Sequence, residues 1–145
     1  MYQNILVAIE RSKADDTIVR HVTALAKMTG ASLVLVHVAH GWAARHFNDL
    51  ALRESEEMRE DRVYLEQLVT QLEDQGLTAR ARLVLGDPAT ELIKAARDEQ
   101  VDLVAMATHG HRLVNDILRG TTVGRVRHEI TVPMLLVRAG SQGAA

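Results

Sequence analysis

Short apolar runs recur along the chain, each followed by a stretch with helical period. The first run is Ile5-Leu6-Val7-Ala8-Ile9. A continuous run of that length predicts a strand buried on both faces, as parallel sheets require. Glu10-Arg11-Ser12 breaks it, and Ser12 is placed to cap the next segment, with Asp15 and Asp16 in its first turn. Ile18, Val22, Leu25 and Met28 then repeat at helical spacing, and Gly30 marks the end. Leu33 to Val38 predicts the second buried strand. His40 to Asp49 reads as a loop, and a long charged helix follows from Leu50 to Gln75. Its inner stripe is Met58, Leu65, Leu68, Val69 and Leu72. The dense charges on its other face predict a solvated surface.

From Thr78 to Leu85 the pattern changes. Ala79 and Ala81 alternate with Arg80 and Arg82, which predicts a half-exposed strand at a sheet edge. Gly86-Asp87-Pro88 is a turn, with Pro88 suited to a first helical turn, and Leu92, Ile93 and Ala96 form the buried face of a short helix. Val101 to Met106 is another buried run, interrupted by Asp102. Ala107 to Arg119 reads as a loop, and Gly120-Thr121-Thr122 opens a helix with Val123, Val126 and Ile130 inward. Pro133 to Val137 is the last strand.

Strands and helices thus alternate, which predicts an α/β fold: a doubly wound five-stranded parallel sheet, order 3-2-1-4-5, with helices on both faces. Residues 1–139 make one domain, and 140–145 a disordered tail. In such sheets ligands bind beyond the carboxyl ends of the strands, where the strand order reverses. That rule sets Ile9 and Glu10 across a crevice from Met106 and Ala107.

Composition narrows the chemistry. Aromatics are 3% of 145 residues, so the core is aliphatic and no base-stacking platform is available. The net charge of −2 also argues against a nucleic-acid partner. The absence of cysteine removes thiol chemistry and fits a reducing compartment. The start Met1-Tyr2-Gln3-Asn4 lacks the basic region of a signal peptide, and the apolar runs are too short to span a membrane. A cytoplasmic protein is expected. The seven histidines form no compact ligand motif, so no metal site is expected among them; His37, inside a buried strand, reads as a hydrogen-bonded structural residue.

The candidate chemistry lies in Ala107-Thr108-His109-Gly110, then nine residues, then Gly120-Thr121. Glycines let backbone approach an anion, and free N–H groups at a helix start favour a phosphate. Arg112 and Arg119 lie in the loop to neutralise charge, and the hydroxyls of Thr121 and Thr122 add donors. Spacing alone leaves a plain strand–loop–helix connection as the open alternative. No Gly-Lys-Ser/Thr follows the loop, so it is not a P-loop, and no nucleophile triad is visible.

The stretch Val104 through Gly110, Gly120-Thr121 and Val132 to Arg138 resembles the universal stress protein family, whose nucleotide-binding branch carries G-x-x-G-x9-G-S/T. Ile5 to Ser12, Leu35-Val36-His37-Val38 and Gly86-Asp87-Pro88-Ala89 are similar to the same family in the same order. The resemblance covers essentially the whole chain. It implies an adenine-nucleotide site, for ATP, made of Ala8, Ile9, Glu10, Ser12, Val38, Met106, Ala107, His109, Gly110, Arg112, Arg119, Gly120, Thr121 and Thr122. Val38 would meet adenine through its main chain, and Glu10 would meet ribose hydroxyls or Mg²⁺. Ala107 stands at the motif's first glycine, Glu10 at an aspartate, and Leu113 and Val114 make the loop bulkier.

The resemblance also implies a homodimer through the last strand, Val132–Arg138, acting as a stress-response sensor or regulator with an unidentified protein partner. Two other readings stay open: an interaction module of the same family without nucleotide, and a slow ATPase using Glu10 and His109.

Overall fold

The computed structural model describes residues 1–39, 47–109 and 117–139. In chain order its elements are β1 (Asn4–Ile9), α1 (Ala14–Thr29), β2 (Ser32–Ala39), α2 (Phe47–Asp74), β3 (Ala79–Leu85), α3 (Pro88–Asp98), β4 (Leu103–Thr108), α4 (Ile117–Glu129) and β5 (Met134–Arg138). The strands form one parallel sheet in the order β3-β2-β1-β4-β5, as the pattern of runs predicts.

Alternate residues of the central strands feed two cores. Ile5, Val7, Ile9, Leu33, Leu35, Leu103 and Ala105 pack with Ile18, Val22 and Ala26 of α1 and with Leu65 and Leu72 of α2. Leu6, Ala8, Val34, Val36, Val104 and Met106 pack with Ala89, Leu92 and Ile93 of α3 and with Val126 of α4. Burial on both faces is why these strands read as unbroken apolar runs. β3 lies at an edge, and its outward Arg80 and Arg82 pair with Asp98 and Glu99 at the C-terminal end of α3. Charged, paired side chains suit an edge strand.

Several boundaries and faces differ from expectation. Met28 is 82% exposed, and Ala26 takes the inner position instead, because the stripe Ile18, Val22, Ala26 holds to the i+4 row facing the sheet. Helix α2 starts at Phe47 rather than Leu50. Asp102 leaves the strand: its carboxylate accepts the N–H groups of Gln3 and Asn4, so β4 begins at Leu103 and runs through Thr108. Ala107 is therefore strand, not loop. Helix α4 starts at Ile117, three residues before the Gly120 start expected, and β5 begins at Met134 rather than Pro133. Pro88 opens α3 as expected, and Asp87 caps it, accepting from the N–H and hydroxyl of Thr90. Gly86 precedes that cap at φ +139, where a side chain would be strained and would crowd Glu91.

The ladders have unequal lengths. β1 pairs with β2 from Asn4 through Ile9, and β4 pairs with β5 as far as Thr108. Between them, β1 and β4 pair only from Ile5↔Leu103 to Val7↔Ala105. The two central strands part beyond that point, on the side where the strand order reverses.

Candidate functional site

Main-chain groups alternate sides along a strand, so a few hydrogen bonds fix which residues address the opening. Val104 donates to Pro133, and Thr108 accepts from Ala139, so even-numbered β4 residues face β5. Ala105 and Ala107 therefore face β1. A longer ladder would bring Glu10 N–H to the Ala107 carbonyl. Instead that N–H donates to Asp15 Oδ1 at 2.8 Å. The Asp15 carboxylate also accepts from Arg11 N–H at 2.8 Å and Ser12 N–H at 3.3 Å. Three successive N–H groups bound to one carboxylate curl the chain away from β4 and leave the Ala107 carbonyl aimed into a crevice.

Asp15 is 1% exposed, and its remaining acceptor capacity is met by the Tyr64 hydroxyl at 2.6 Å. The turn holds Arg11 at φ +63, an uncommon conformation for a side-chain-bearing residue. Its guanidinium donates to Asp61 at 2.7 Å and lies 5.5 Å from the centre of the Tyr64 ring. Burial, and then the hydrogen bond to Asp15, push the Tyr64 phenol far above its ordinary value of 10.0. Ser12 does not cap α1 in the expected way. The cap position is Lys13, without a side-chain bond, while Ser12 Oγ accepts from Ala14 N–H at 3.2 Å.

Across the crevice mouth, His109 Nε2 lies 2.9 Å from Glu10 Oε1 and 3.2 Å from Oε2. Ser12 Oγ donates to Glu10 Oε1 at 3.1 Å. Glu10 and Ser12 from the first motif and His109 from the Ala107–Thr121 motif are thus one hydrogen-bonded group. His109 is nearly enclosed, whereas Glu10 keeps 23% of its side chain exposed.

Val38 lies on the other flank. Ser32 N–H donates to Gln3, and Leu33 N–H to Thr78, so even-numbered β2 residues address β1. Val38 belongs to that set, one residue beyond the last β1 pair, Ile9↔His37. Its carbonyl therefore points past the last β1 pair. The side chains of Ala8, Ile9, Met106 and Ala107 are buried in the two cores; of the four, Ala8 and Ala107 turn their main chains toward the gap between β1 and β4, while Ile9 addresses β2 and Met106 addresses β5.

Helix α4 requires a correction. Since it starts at Ile117, the N–H groups without helical acceptors are those of Ile117 to Arg119 rather than Gly120 to Thr122. Thr122 is 7% exposed, so its side chain packs inside instead of serving a surface phosphate. Gly110 and Arg112 lie outside the described residues, as do the side chains of Arg119 and Thr121, His40, His46, His111, Leu113, Val114 and the tail. Among the described residues no three histidine or acidic groups could jointly hold a metal. None of the described helices is long and apolar enough to cross a membrane. Sequence reasoning missed Asp15, Asp61 and Tyr64 as site-shaping residues. The signal for Asp15 was its place five residues after Glu10 in a first helical turn.

A doubly wound α/β domain with a hydrogen-bonded Glu10–His109 pair at its switch point is the class that fold and site define. The universal stress protein profile matches residues 1–138. The chain belongs to the universal stress protein family, a family associated with stress responses. It is 30% identical to a universal stress protein of Thermus aquaticus, the match covering 95% of this chain and 100% of the relative. It is 26% identical to Universal stress protein MJ0577 of Methanocaldococcus jannaschii, over 95% and 96% of the two chains, and the solved structure of MJ0577 superposes with a TM-score of 0.79. A universal stress protein from Archaeoglobus fulgidus, solved in complex with dAMP, shares the fold at 17% identity and a TM-score of 0.69, over 94% and 98% of the chains.

Asp15→Ala should remove the acceptor of three part-buried N–H groups and cost about 3 kcal/mol, on the scale of unsatisfied donors. Urea denaturation measures it, and a loss under about 1 kcal/mol would remove Asp15 from this role. Because the folded state holds the Tyr64 proton more tightly than the unfolded one, its contribution is complete below about pH 10 and is lost as pH rises above that. Wild type should therefore lose more stability than Tyr64→Phe between about pH 9 and pH 11. Parallel profiles would contradict the assignment.

Proposed function

We propose that the chain binds an adenine nucleotide, ATP with Mg²⁺, in the crevice between β1 and β4, and works as a homodimeric stress-response sensor or regulator. The observation that carries this reading is the early end of the β1–β4 ladder beside the Glu10–His109 pair. Main-chain acceptors and the Glu10 carboxylate lie beside that early end, and α4 follows the same end of β4 in the chain, which supports a ligand site at the switch point. The Val38 and Ala107 carbonyls suit the exocyclic amine and sugar of a nucleoside. Glu10 offers a carboxylate to ribose hydroxyls, or a hard oxygen donor of the kind Mg²⁺ takes alongside phosphates. The first-turn N–H groups of α4 suit phosphate oxygens, and Gly120 allows close approach. The dAMP complex of the Archaeoglobus fulgidus protein supports the ligand class through the shared fold.

His109 and Glu10 are also the candidates for slow hydrolysis. Their contact fixes the imidazole and does not by itself position a water, so passive binding is the favoured role. For the dimer, β5 is the second sheet edge, and Leu136 is 42% exposed in its middle. An unpaired edge with an apolar outward residue suits a twofold contact.

Isothermal titration should show saturable binding of ATP with Mg²⁺, weakened at least about tenfold by Gly120→Asp. An aspartate in the first turn suits the helix dipole, so this change reports on binding rather than folding. Unchanged binding would sink the site. If mass spectrometry finds no nucleotide on natively purified protein and titration is flat, the interaction-module reading replaces this one. Light scattering should give a dimer at about 50 μM, and Leu136→Lys should give a monomer; a wild-type monomer would refute the β5 contact.

A further inference from the structure

The nucleotide reading leaves the opposite wall of the crevice unused, where β2, β1 and α2 meet. His37 Nδ1 lies 2.8 Å from the Ile9 carbonyl. A carbonyl oxygen only accepts, so Nδ1 carries the hydrogen and donates it. In the neutral ring Nε2 is then bare, with a lone pair outward. Nε2 faces Asp61 Oδ2 at 3.7 Å, with the two side chains 13% and 10% exposed. A bare nitrogen and a carboxylate oxygen repel. The same two atoms attract when Nε2 gains a proton, and 3.7 Å is short enough to close into a charge-assisted hydrogen bond.

We propose that His37 is a proton-operated clamp between α2 and the end of β1. The protonated ring donates at both ends, to Ile9 on β1 and to Asp61 on α2. Ile9 is the residue before Glu10, and Asp61 holds Arg11, so both ends of the clamp grip the turn that opens the crevice. Acidification tightens that turn; a neutral ring relaxes it.

The surroundings favour this response. The charged or titratable groups tied to the Asp61–Arg11 end of the clamp include Glu60 and Tyr64 of α2, with Asp15 of α1 bonded to Tyr64. Arg11 shares the Asp61 carboxylate but uses Oδ1, leaving Oδ2 toward His37. The Tyr64 phenol is occupied by Asp15, and Glu10 by Ser12 and His109. From β3 the neighbour is the apolar Leu83, with Arg62 and Glu66 lining the groove beside it. The contact exists only in the folded chain and only with the proton bound. Its stabilisation is present at low pH and lost as pH rises. It needs no ligand in the crevice, so it stands or falls apart from the nucleotide reading.

The test compares about pH 8 with about pH 6, either side of the ordinary imidazole range. Heteronuclear NMR of the intact protein should show His37 with hydrogen on Nδ1 alone at the higher pH and on both nitrogens at the lower. The amides of Glu10, Arg11 and Ser12 should gain protection from exchange in parallel. His37→Asn keeps a donor for Ile9 and removes Nε2, so its melting temperature should fall about 3 °C further below wild type at the lower pH than at the higher. In an Asp61→Asn background that extra gap should vanish. A His37 ring with hydrogen on Nε2 alone at the higher pH would overturn the proposal. So would a wild-type to His37→Asn gap that is the same at both pH values, or one that persists with Asp61→Asn. The NMR measurement needs no variant, so it decides even if a variant fails to fold.

Discussion

The Asp15 carboxylate decides where β1 stops being a strand. Backbone donors must find acceptors when buried, and at a strand end the default acceptor is the neighbouring strand. Here Glu10, Arg11 and Ser12 donate to Asp15 instead. The neighbouring β4 runs on to Thr108 without them. A parallel sheet that would have paired to its ends has its central β1–β4 ladder stop at Val7↔Ala105.

That carboxylate is held in turn by the helices on its own face. Tyr64 donates to it from α2, and Arg11 reaches back to Asp61 one turn earlier on the same helix. His37 joins β1 to Asp61 from the sheet side. The positive φ of Arg11 is stored at the apex of this network, where several hydrogen bonds over-determine the turn. The other face has its own tie: Arg125 of α4 donates to Asp87 at 2.8 Å, the residue that caps α3. The Thr90 hydroxyl and N–H, and then Arg125, hold the Asp87 carboxyl below its usual range. One polar anchor therefore fixes the helix pair on each side of the sheet, and the crevice lies between them.

Much of this was legible in the chain. Runs such as Ile5–Ile9 and Leu33–Val38 are long enough to be strands and too apolar to face water, so they had to be central. The Ala/Arg alternation of Ala79 to Arg82 had to be an edge. Strand order and the position of the switch point follow from that alternation of elements and from right-handed crossovers. Glu10 and His109 were singled out from separate motifs, and the fold brings them within hydrogen-bonding distance.

Tertiary structure decided what local pattern could not. Met28 was read into the apolar stripe of α1, but it is 82% exposed, and only packing reveals that. Thr122 has a hydroxyl like Thr121 and sits next to it, yet it is buried because α4 starts a turn earlier than the glycine suggested. Asp15 reads as an ordinary first-turn acid, and its three backbone partners depend on the path of the turn before it. Hydrophobic periodicity is a property of neighbours along the chain, so the sequence determined the elements, their order and the place of the opening. Which polar groups meet across that opening depends on residues 28 to 99 positions apart, such as His37 with Ile9 and His109 with Glu10, and only the packed fold sets them together.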